Sequence, residues 1–255
     1  MRAKVIAVVV AGGLVCWGKS VGAAEGHIAL KHQHWPTNGM FGTFDRAAVQ
    51  RGFQVYREVC AACHGLKYVA FRNFAALGYS EDDIKAIAAE YTVTDGPDDE
   101  GEMFDRPGLP FDRIPSPYPN EAAAAAANGG KAPPDLSLMA KARVGGQDYL
   151  YSLLTGYEDP PDGFELPDGG YYNAYFPGHV IAMPPPLSDD QVTYADGTSA
   201  TVSQMSRDVA QFMMWAAEPT LEARKATGLK VILFLVVLTA LTFALKRKIW
   251  ADVPH

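Results

Sequence analysis

The chain has 255 residues, enough for one sizeable domain or two small ones. It carries 22 basic and 29 acidic side chains, and its net charge is −7. The acidity is concentrated in the middle, since residues 25–228 contain 15 basic and 28 acidic side chains, a net charge of −13. A domain this acidic repels nucleic acid and anionic lipid and attracts basic partners, so nucleic-acid binding is excluded as a function class.

Residues 1–24 have the three parts of a secretory signal peptide. Arg2 and Lys4 precede an apolar run over residues 5–17, which is too short for a comfortable membrane span, and small residues close the segment. Removing it also removes Cys16 and leaves two cysteines. Because both belong to one motif, we expect no disulfide framework in the exported protein.

Those two cysteines lie in Cys60-Ala61-Ala62-Cys63-His64, a spacing typical of covalent haem c attachment. Each thiol can add to one haem vinyl group, and the adjacent histidine is placed to bind the iron. A zinc site would require a second Cys or His pair at short spacing, and none follows. A thioredoxin-like redox pair would be expected near a βαβ unit, and no βαβ pattern surrounds this motif. We therefore predict one haem, attached through Cys60 and Cys63, with His64 as an axial ligand.

Apolar residues at helical spacing predict a mainly α-helical domain. A first helix over residues 45–59 has Asp45 as its N-cap and ends at the haem motif. A second helix begins at Ser80, where Asp83 supplies a variant of the capping box. Further helices are predicted over residues 121–127, 138–143, 147–154 and 205–216.

Long loop insertions separate these helices. Residues 93–120 are rich in proline and include a cluster of acids, and residues 158–170 carry five acids and no base. Twelve of the domain's 28 acids fall within residues 95–112 and 158–168. Alternation over residues 192–202 around Asp196-Gly197 predicts a small β-hairpin.

The C-terminal part of the chain contains the longest apolar run, residues 231–245. Extended back to residue 226 it reaches about 20 residues, the length of a membrane span. A buried core helix is the alternative, but the basic stop at residues 246–248 favours a transmembrane anchor over residues 226–248. The positive-inside rule places the tail, residues 249–255, in the cytoplasm and the domain of residues 25–225 outside.

A second axial ligand must come from outside the motif. His255 is excluded because it would lie across the membrane. Met183 is favoured because three prolines follow it directly and hold the backbone rigid without helical hydrogen bonds. A His/Met pair raises the iron potential and leaves no open site for oxygen or peroxide chemistry. The remaining candidates are His27, His32, His34, His179, Met40, Met103, Met139, Met205, Met213 and Met214.

Several motifs between residues 34 and 250 stand in a recognisable order: Arg51-Gly52-Phe53-Gln54-Val55-Tyr56, Tyr68-Val69-Ala70, Pro133-Pro134-Asp135-Leu136-Ser137, Leu153-Leu154-Thr155-Gly156-Tyr157, Ile181-Ala182-Met183 and Trp215-Ala216-Ala217-Glu218-Pro219. Together with the haem motif they resemble the cytochrome c1 family. Members of that family are the haem-bearing subunits of the membrane quinol–cytochrome c oxidoreductase. The short signal peptide resembles that of a bacterial member.

The resemblance implies a cytochrome c-like haem domain with long loop insertions and a small β-hairpin, followed by one C-terminal transmembrane helix. It implies that residues in four groups hold the haem. These are the thioether anchors Cys60 and Cys63, the axial ligands His64 and Met183, the packing residues Asn128, Pro133 and Pro134, and the propionate-binding residues Arg143 and Tyr149.

The resemblance also implies a function in electron transfer, as a redox subunit rather than as an enzyme on its own. The subunit would sit in the bacterial inner membrane with its haem domain on the periplasmic side, beside a cytochrome b subunit. It would accept an electron from a Rieske iron–sulfur protein and pass it to a soluble basic c-type cytochrome, steered by the acidic loops.

Two other functions stay open at this point. A free-standing membrane-anchored cytochrome c could donate to a terminal oxidase, although its histidine and methionine ligands would lie much closer in sequence. A haem sensor or peroxidase would require an open iron site or a second haem motif, and neither is visible.

Overall fold

The computed structural model describes residues 28–252. The predicted signal peptide, including Cys16, lies outside the described residues, as do His27 and His255. The described part is mainly helical, as predicted. Its α-helices are α1 Arg46–Glu58, α2 Glu81–Ala89, α3 Glu121–Ala127, α4 Met139–Ala142, α5 Gln147–Leu154, α6 Val202–Ala217 and α7 Leu221–Ile249. Two 3₁₀ segments, Cys60–Ala62 and Phe71–Leu77, follow α1.

Local capping fixes where the first two helices begin. Asp45 accepts a hydrogen bond from the Ala48 amide at 3.2 Å, which confirms it as the N-cap of α1. Ser80 and Asp83 form the reciprocal capping box that opens α2. Both predictions depend only on side chains within one helical turn, and both are confirmed.

The helices α1 and α6 cross in very close contact at Gly52. A Cβ atom built on this glycine would lie 2.1 Å from the Asp208 carbonyl oxygen and 2.8 Å from Phe212 Cβ. Only a residue without a side chain allows the two backbones to approach this far. Phe53 packs on Phe212 with ring centroids 5.5 Å apart, and Tyr56 packs on the same ring at 5.6 Å.

A buried ion pair lies beside this crossing. Arg51 on α1 donates from Nε to Asp208 Oδ2 at 2.9 Å and from Nη2 to Oδ1 at 3.1 Å. The Asp208 side chain is almost completely buried, and Gln204 also donates to it. Because a buried carboxylate is costly unless it is paired and hydrogen-bonded, the two-pronged guanidinium contact fixes how α1 and α6 align.

The hairpin predicted over residues 192–202 is wrong. The chain turns at Ala195 and Asp196, but neither flank forms a strand. Asp196 instead accepts a hydrogen bond from Arg51 Nη1 at 2.8 Å, and the Thr193 carbonyl accepts one from Gln54 at 3.0 Å. The segment therefore packs along α1 rather than pairing with itself.

Two small sheets form elsewhere in the chain instead. Strands β1 (Thr92–Asp95) and β2 (Phe104–Pro107) form an antiparallel pair inside the first acidic insertion. A shorter antiparallel pair joins β3 (Tyr171–Tyr172) to β4 (Val180–Ile181), just before Met183. The prediction of residues 93–120 as pure loop is corrected to this extent.

The C-terminal helix α7 is 29 residues long and apolar enough to cross a membrane. It begins five residues before the predicted span because its first turn packs on the domain. Leu221 is buried in the core, and Glu222 accepts hydrogen bonds from both guanidinium nitrogens of Arg46 at 2.6 and 2.7 Å. Beyond that turn the apolar side chains are exposed, as in Phe234, which is 65% exposed.

We predict that Gly52→Ala destabilises the domain although alanine is the better helix former by about 1 kcal/mol. The added methyl group meets the α6 backbone, and overpacking of this kind costs about 1–3 kcal/mol or more. Thermal or denaturant unfolding of the haem-bearing protein measures the loss. Gly228→Ala is the matched control, because that helical glycine has nothing within 4 Å. Equal stability of the two variants would contradict the close crossing.

Candidate haem-binding site

The haem motif follows α1 without a break in hydrogen bonding. The Val59 amide donates to the Val55 carbonyl at 3.0 Å, and the amides of Cys63 and His64 both donate to the Cys60 carbonyl, at 3.1 and 2.9 Å. These tight turns hold the two cysteines and the histidine close together at the end of a helix anchored in the core.

The two cysteines are half-buried free thiols. Burial, together with the nearby Cys63, raises the pKa of the Cys60 thiol to about 12, so this thiol keeps its proton at neutral pH. In residues 28–252 no group of three or more His, Cys, Asp or Glu side chains could hold a metal ion.

His64 is oriented by a backbone carbonyl from a distant segment. Its Nδ1 lies 2.7 Å from the Pro134 carbonyl oxygen, which can only accept a hydrogen bond. The contact therefore requires a proton on Nδ1. Burial lowers the pKa of His64, which favours the neutral ring with a free lone pair on Nε2. A neutral imidazole fixed through its other nitrogen is the form in which histidine binds a metal.

Pro134 is held in place because its segment is tied to the chain after His64. The Leu136 amide donates to the Gly65 carbonyl at 2.9 Å. Asp135 accepts hydrogen bonds from the Lys67 amide at 2.9 Å and from the Ser137 amide at 3.0 Å. The Ser137 hydroxyl in turn accepts from the Tyr68 amide at 3.1 Å. These bonds join residues 65–68 to residues 135–137, so both segments together determine the orientation of His64.

Met183 follows β4 and is half-buried at the start of the proline run. Its carbonyl accepts a hydrogen bond from the Tyr157 hydroxyl at 3.1 Å. Burial raises the pKa of Tyr157, so the phenol keeps the proton that it donates. A side chain just beyond α5 thus fixes the methionine's backbone, which supports the prediction of a rigid ligand loop.

The proposed propionate-binding residues lie close to that tyrosine. Burial raises the pKa of Tyr149, while the neighbouring Arg143 guanidinium opposes the rise. The Tyr149 phenol is also near enough to influence the pKa of Tyr157. Arg143 itself is exposed. The one geometric link here is the hydrogen bond from Tyr157 to the Met183 backbone, and the assignment of Arg143 and Tyr149 to a propionate stays a prediction.

The predicted packing residues have different environments. Asn128 caps α3, and its amide nitrogen donates to the Ala124 carbonyl at 2.7 Å and to the Tyr118 hydroxyl at 3.1 Å. Pro133 is half-buried, and Pro134 is exposed and bonded to His64 through its carbonyl. The assignment of these residues to a haem surface stays a prediction.

Sequence reasoning missed the supporting residues of the site. Tyr56 donates to the His64 carbonyl at 3.0 Å, and Tyr157, Asp135 and Ser137 make the contacts described above. All four lie inside motifs that carry the family resemblance, which was the one available signal. Their partners could not be identified from spacing, because they are up to 69 residues away.

These features define a class of protein, namely a helical domain whose first helix leads directly into a Cys-x-x-Cys-His motif with an oriented histidine. The family model described as the cytochrome C1 family matches residues 35–253. The chain belongs to the cytochrome c1 family.

Individual relatives agree with that assignment. The chain is 55% identical to "Cytochrome c1" of Rhodospirillum rubrum over 98% of its length and 97% of the relative's. It is 50% identical to "Cytochrome b/c1" of Bradyrhizobium diazoefficiens over 97% of its length, but spans 39% of that protein. It is 53% identical to "Cytochrome b-c1 complex catalytic subunit, mitochondrial" of Candida albicans, with 91% of this chain and 81% of the relative covered.

We predict that Asp135→Ala loosens the attachment that orients His64. The change removes two hydrogen bonds to a charged acceptor, and we expect a loss of about 1–3 kcal/mol in unfolding free energy. Thermal unfolding of the haem-bearing protein checks this. Asp159→Ala, at an exposed position, is the control. If both variants unfold at the same temperature as the parent, Asp135 does not stabilise the site.

Proposed function

We propose that this chain is the haem-bearing electron-transfer subunit of a quinol–cytochrome c oxidoreductase. The observation that carries the proposal is the His64 ring, held through Nδ1 by Pro134 directly after two cysteines at haem-attachment spacing. When bound, the haem supplies one-electron redox chemistry. The chain is a redox subunit of the complex and performs no proton chemistry itself.

The donor types of the proposed residues suit a covalently attached haem. Cys60 and Cys63 would attach it, and His64 and Met183 would bind the iron. Arg143 and Tyr149 provide a guanidinium and a phenol for a propionate, a pairing that satisfies a partly buried carboxylate. Asn128, Pro133 and Pro134 pack around the macrocycle.

Three partners follow from the proposal. The relative in Bradyrhizobium diazoefficiens, named for both b and c1, supports a cytochrome b subunit as a constant neighbour. A Rieske iron–sulfur protein donates the electron, and a soluble basic c-type cytochrome accepts it. The negative charge of the domain supports the last of these, since it attracts a basic protein.

The proposed placement is in the bacterial inner membrane, after removal of residues 1–24. Residues 25–225 form the periplasmic haem domain, residues 226–248 span the bilayer and residues 249–255 lie in the cytoplasm. The exposed apolar surface of α7 and its basic end at Lys246, Arg247 and Lys248 support this arrangement.

Ion pairing and exposure limit which carboxylates are available to attract a partner. In the first acidic loop, Arg106 pairs with both Asp95 and Asp112, so its one positive charge offsets half of their combined negative charge. Asp99, Glu100 and Glu102 stay exposed. In residues 158–168 all five acids are exposed, and none forms an ion pair with another described residue.

We predict that Met183→Leu lowers the haem potential by on the order of a few hundred millivolts, within the range that axial ligands control. It also opens the iron to carbon monoxide. Redox titration and carbon monoxide difference spectra of the purified protein measure both effects. Met103→Leu is the control, because Met103 is an exposed methionine. An unchanged potential without carbon monoxide binding would show that another residue is the sixth ligand.

We predict that electron transfer to a basic c-type cytochrome slows steeply as salt rises, because the attraction between exposed charges is screened within about 8–10 Å. Stopped-flow mixing of the reduced protein with oxidised basic cytochrome across a salt series measures the slope. Neutralising Asp99, Glu100 and Glu102, or the acids of residues 158–168, should flatten it without changing the haem spectrum.

The control matched in charge to the Asp99, Glu100 and Glu102 variant neutralises Glu81, Asp82 and Glu121, three exposed acids at the starts of α2 and α3. This control should keep the parent's salt dependence. A parent rate that does not respond to salt would contradict steering by the acidic loops, and equal flattening by the control would assign the effect to net charge alone.

A further inference from the structure

A turn over residues 36–43 presents two large apolar side chains to solvent beside the start of α7. Met40 is 57% exposed and Phe41 is 77% exposed. None of the eight residues in the turn is charged, although the domain around it is strongly acidic. Two adjacent exposed apolar residues in a neutral setting indicate a contact surface rather than ordinary solvent exposure.

The turn has a defined shape. The Asn38 amide donates to the Trp35 carbonyl at 3.0 Å, and the Thr43 amide donates to the Pro36 carbonyl at 3.0 Å. At Gly42 an added Cβ atom would lie 2.2 Å from the Asn38 carbonyl oxygen, so the chain closes on itself there. Met40 and Phe41 therefore project from a turn that is held together by its own backbone.

Contacts with α7 hold the turn beside the start of that helix. The Phe44 amide donates to Glu222 at 2.7 Å. Three residues further along the helix, Lys225 Nζ donates to the Thr37 carbonyl at 2.6 Å and to the Gly42 carbonyl at 3.3 Å. The second pair of bonds ties the turn to the residue directly before the proposed span, which begins at residue 226.

The proposed span then places the turn at the membrane surface. Residues 226–245 are 20 residues, or about 30 Å of helix, which equals the thickness of the hydrocarbon core. Lys225 is therefore at the boundary of that core. The polar layer on each side of the core is about 5–8 Å thick. A turn bonded to the Lys225 ammonium group lies within this layer.

We propose that Met40 and Phe41 insert into the lipid headgroup layer and form a second membrane contact of the haem domain. The inference rests on the proposal that α7 spans the bilayer. A lipid surface is the favoured occupant because the turn continues the surface of the membrane helix and carries no acidic side chain. With α7 alone the domain is attached at one point, and a second contact restricts its tilt over the membrane.

The test uses the full-length haem-bearing chain in phosphatidylcholine vesicles. Single cysteines replace Phe41, Val144 or Phe234 and carry an environment-sensitive fluorophore, while Cys60 and Cys63 are consumed by the haem. Val144 is 89% exposed and serves as the aqueous control, and Phe234 in the middle of α7 serves as the lipid control. Each variant is measured with and without quenchers, so that quenching by the haem cancels.

We expect the label at residue 41 to be quenched severalfold more strongly by headgroup spin-labelled lipid than the label at residue 144. We also expect it to be protected severalfold from aqueous iodide relative to that label. The label at residue 234 should respond to lipid spin-labelled in the acyl chain. If the label at residue 41 is in water while the label at residue 234 is in lipid, only the membrane contact of Met40 and Phe41 is overturned. If the label at residue 234 is in water, the proposed membrane span of α7 is overturned, and with it the membrane contact of Met40 and Phe41.

The same labels in native membranes that contain the assembled complex separate lipid from protein. Continued quenching of the residue 41 label by headgroup spin-labelled lipid supports the lipid contact. If the label is shielded from both lipid and iodide there, a partner subunit covers the turn and the lipid assignment is overturned.

Discussion

At Gly52 the backbone of α1 lies directly against the backbone of α6, and the positions of the other parts of the domain follow from this contact. The crossing leaves no space for a side chain, and the buried Arg51–Asp208 pair beside it fixes the alignment of the two helices. Because α1 ends at the haem motif, the crossing also determines where Cys60 is presented. Because α6 leads into α7, it connects that motif to the proposed membrane helix.

The site itself is built from segments that are distant in sequence. His64 depends on the carbonyl of Pro134, and the Met183 carbonyl depends on the hydroxyl of Tyr157. In both cases a backbone or hydroxyl group of a second segment fixes the position of a proposed ligand. Such positioning gives a redox centre a rigid surrounding, so that little has to move when its charge changes.

Charge is distributed unevenly over the domain. Exposed acids in residues 98–102 and 158–168 form the proposed surface for a basic partner, whereas Asp95 and Asp112 share the one positive charge of Arg106. Near α7 the domain instead presents an uncharged turn and the ammonium group of Lys225. These two parts of the surface thus suit different surroundings, an aqueous protein partner for the acidic loops and a membrane surface for the uncharged turn.

The sequence by itself determined the features that depend on neighbouring residues. These are the caps at Asp45 and Ser80, the haem motif and the apolar length of α7, since each is set within a few positions or by composition. Tertiary structure decided the rest. Asp196-Gly197 has the local pattern of a hairpin, yet no hairpin forms, and the segment is bonded to α1 instead, through Arg51 to Asp196 and through Gln54 to the Thr193 carbonyl. Pro134 could not be identified as the partner of His64, because a hydrogen bond across 70 residues leaves no periodic signal in the chain.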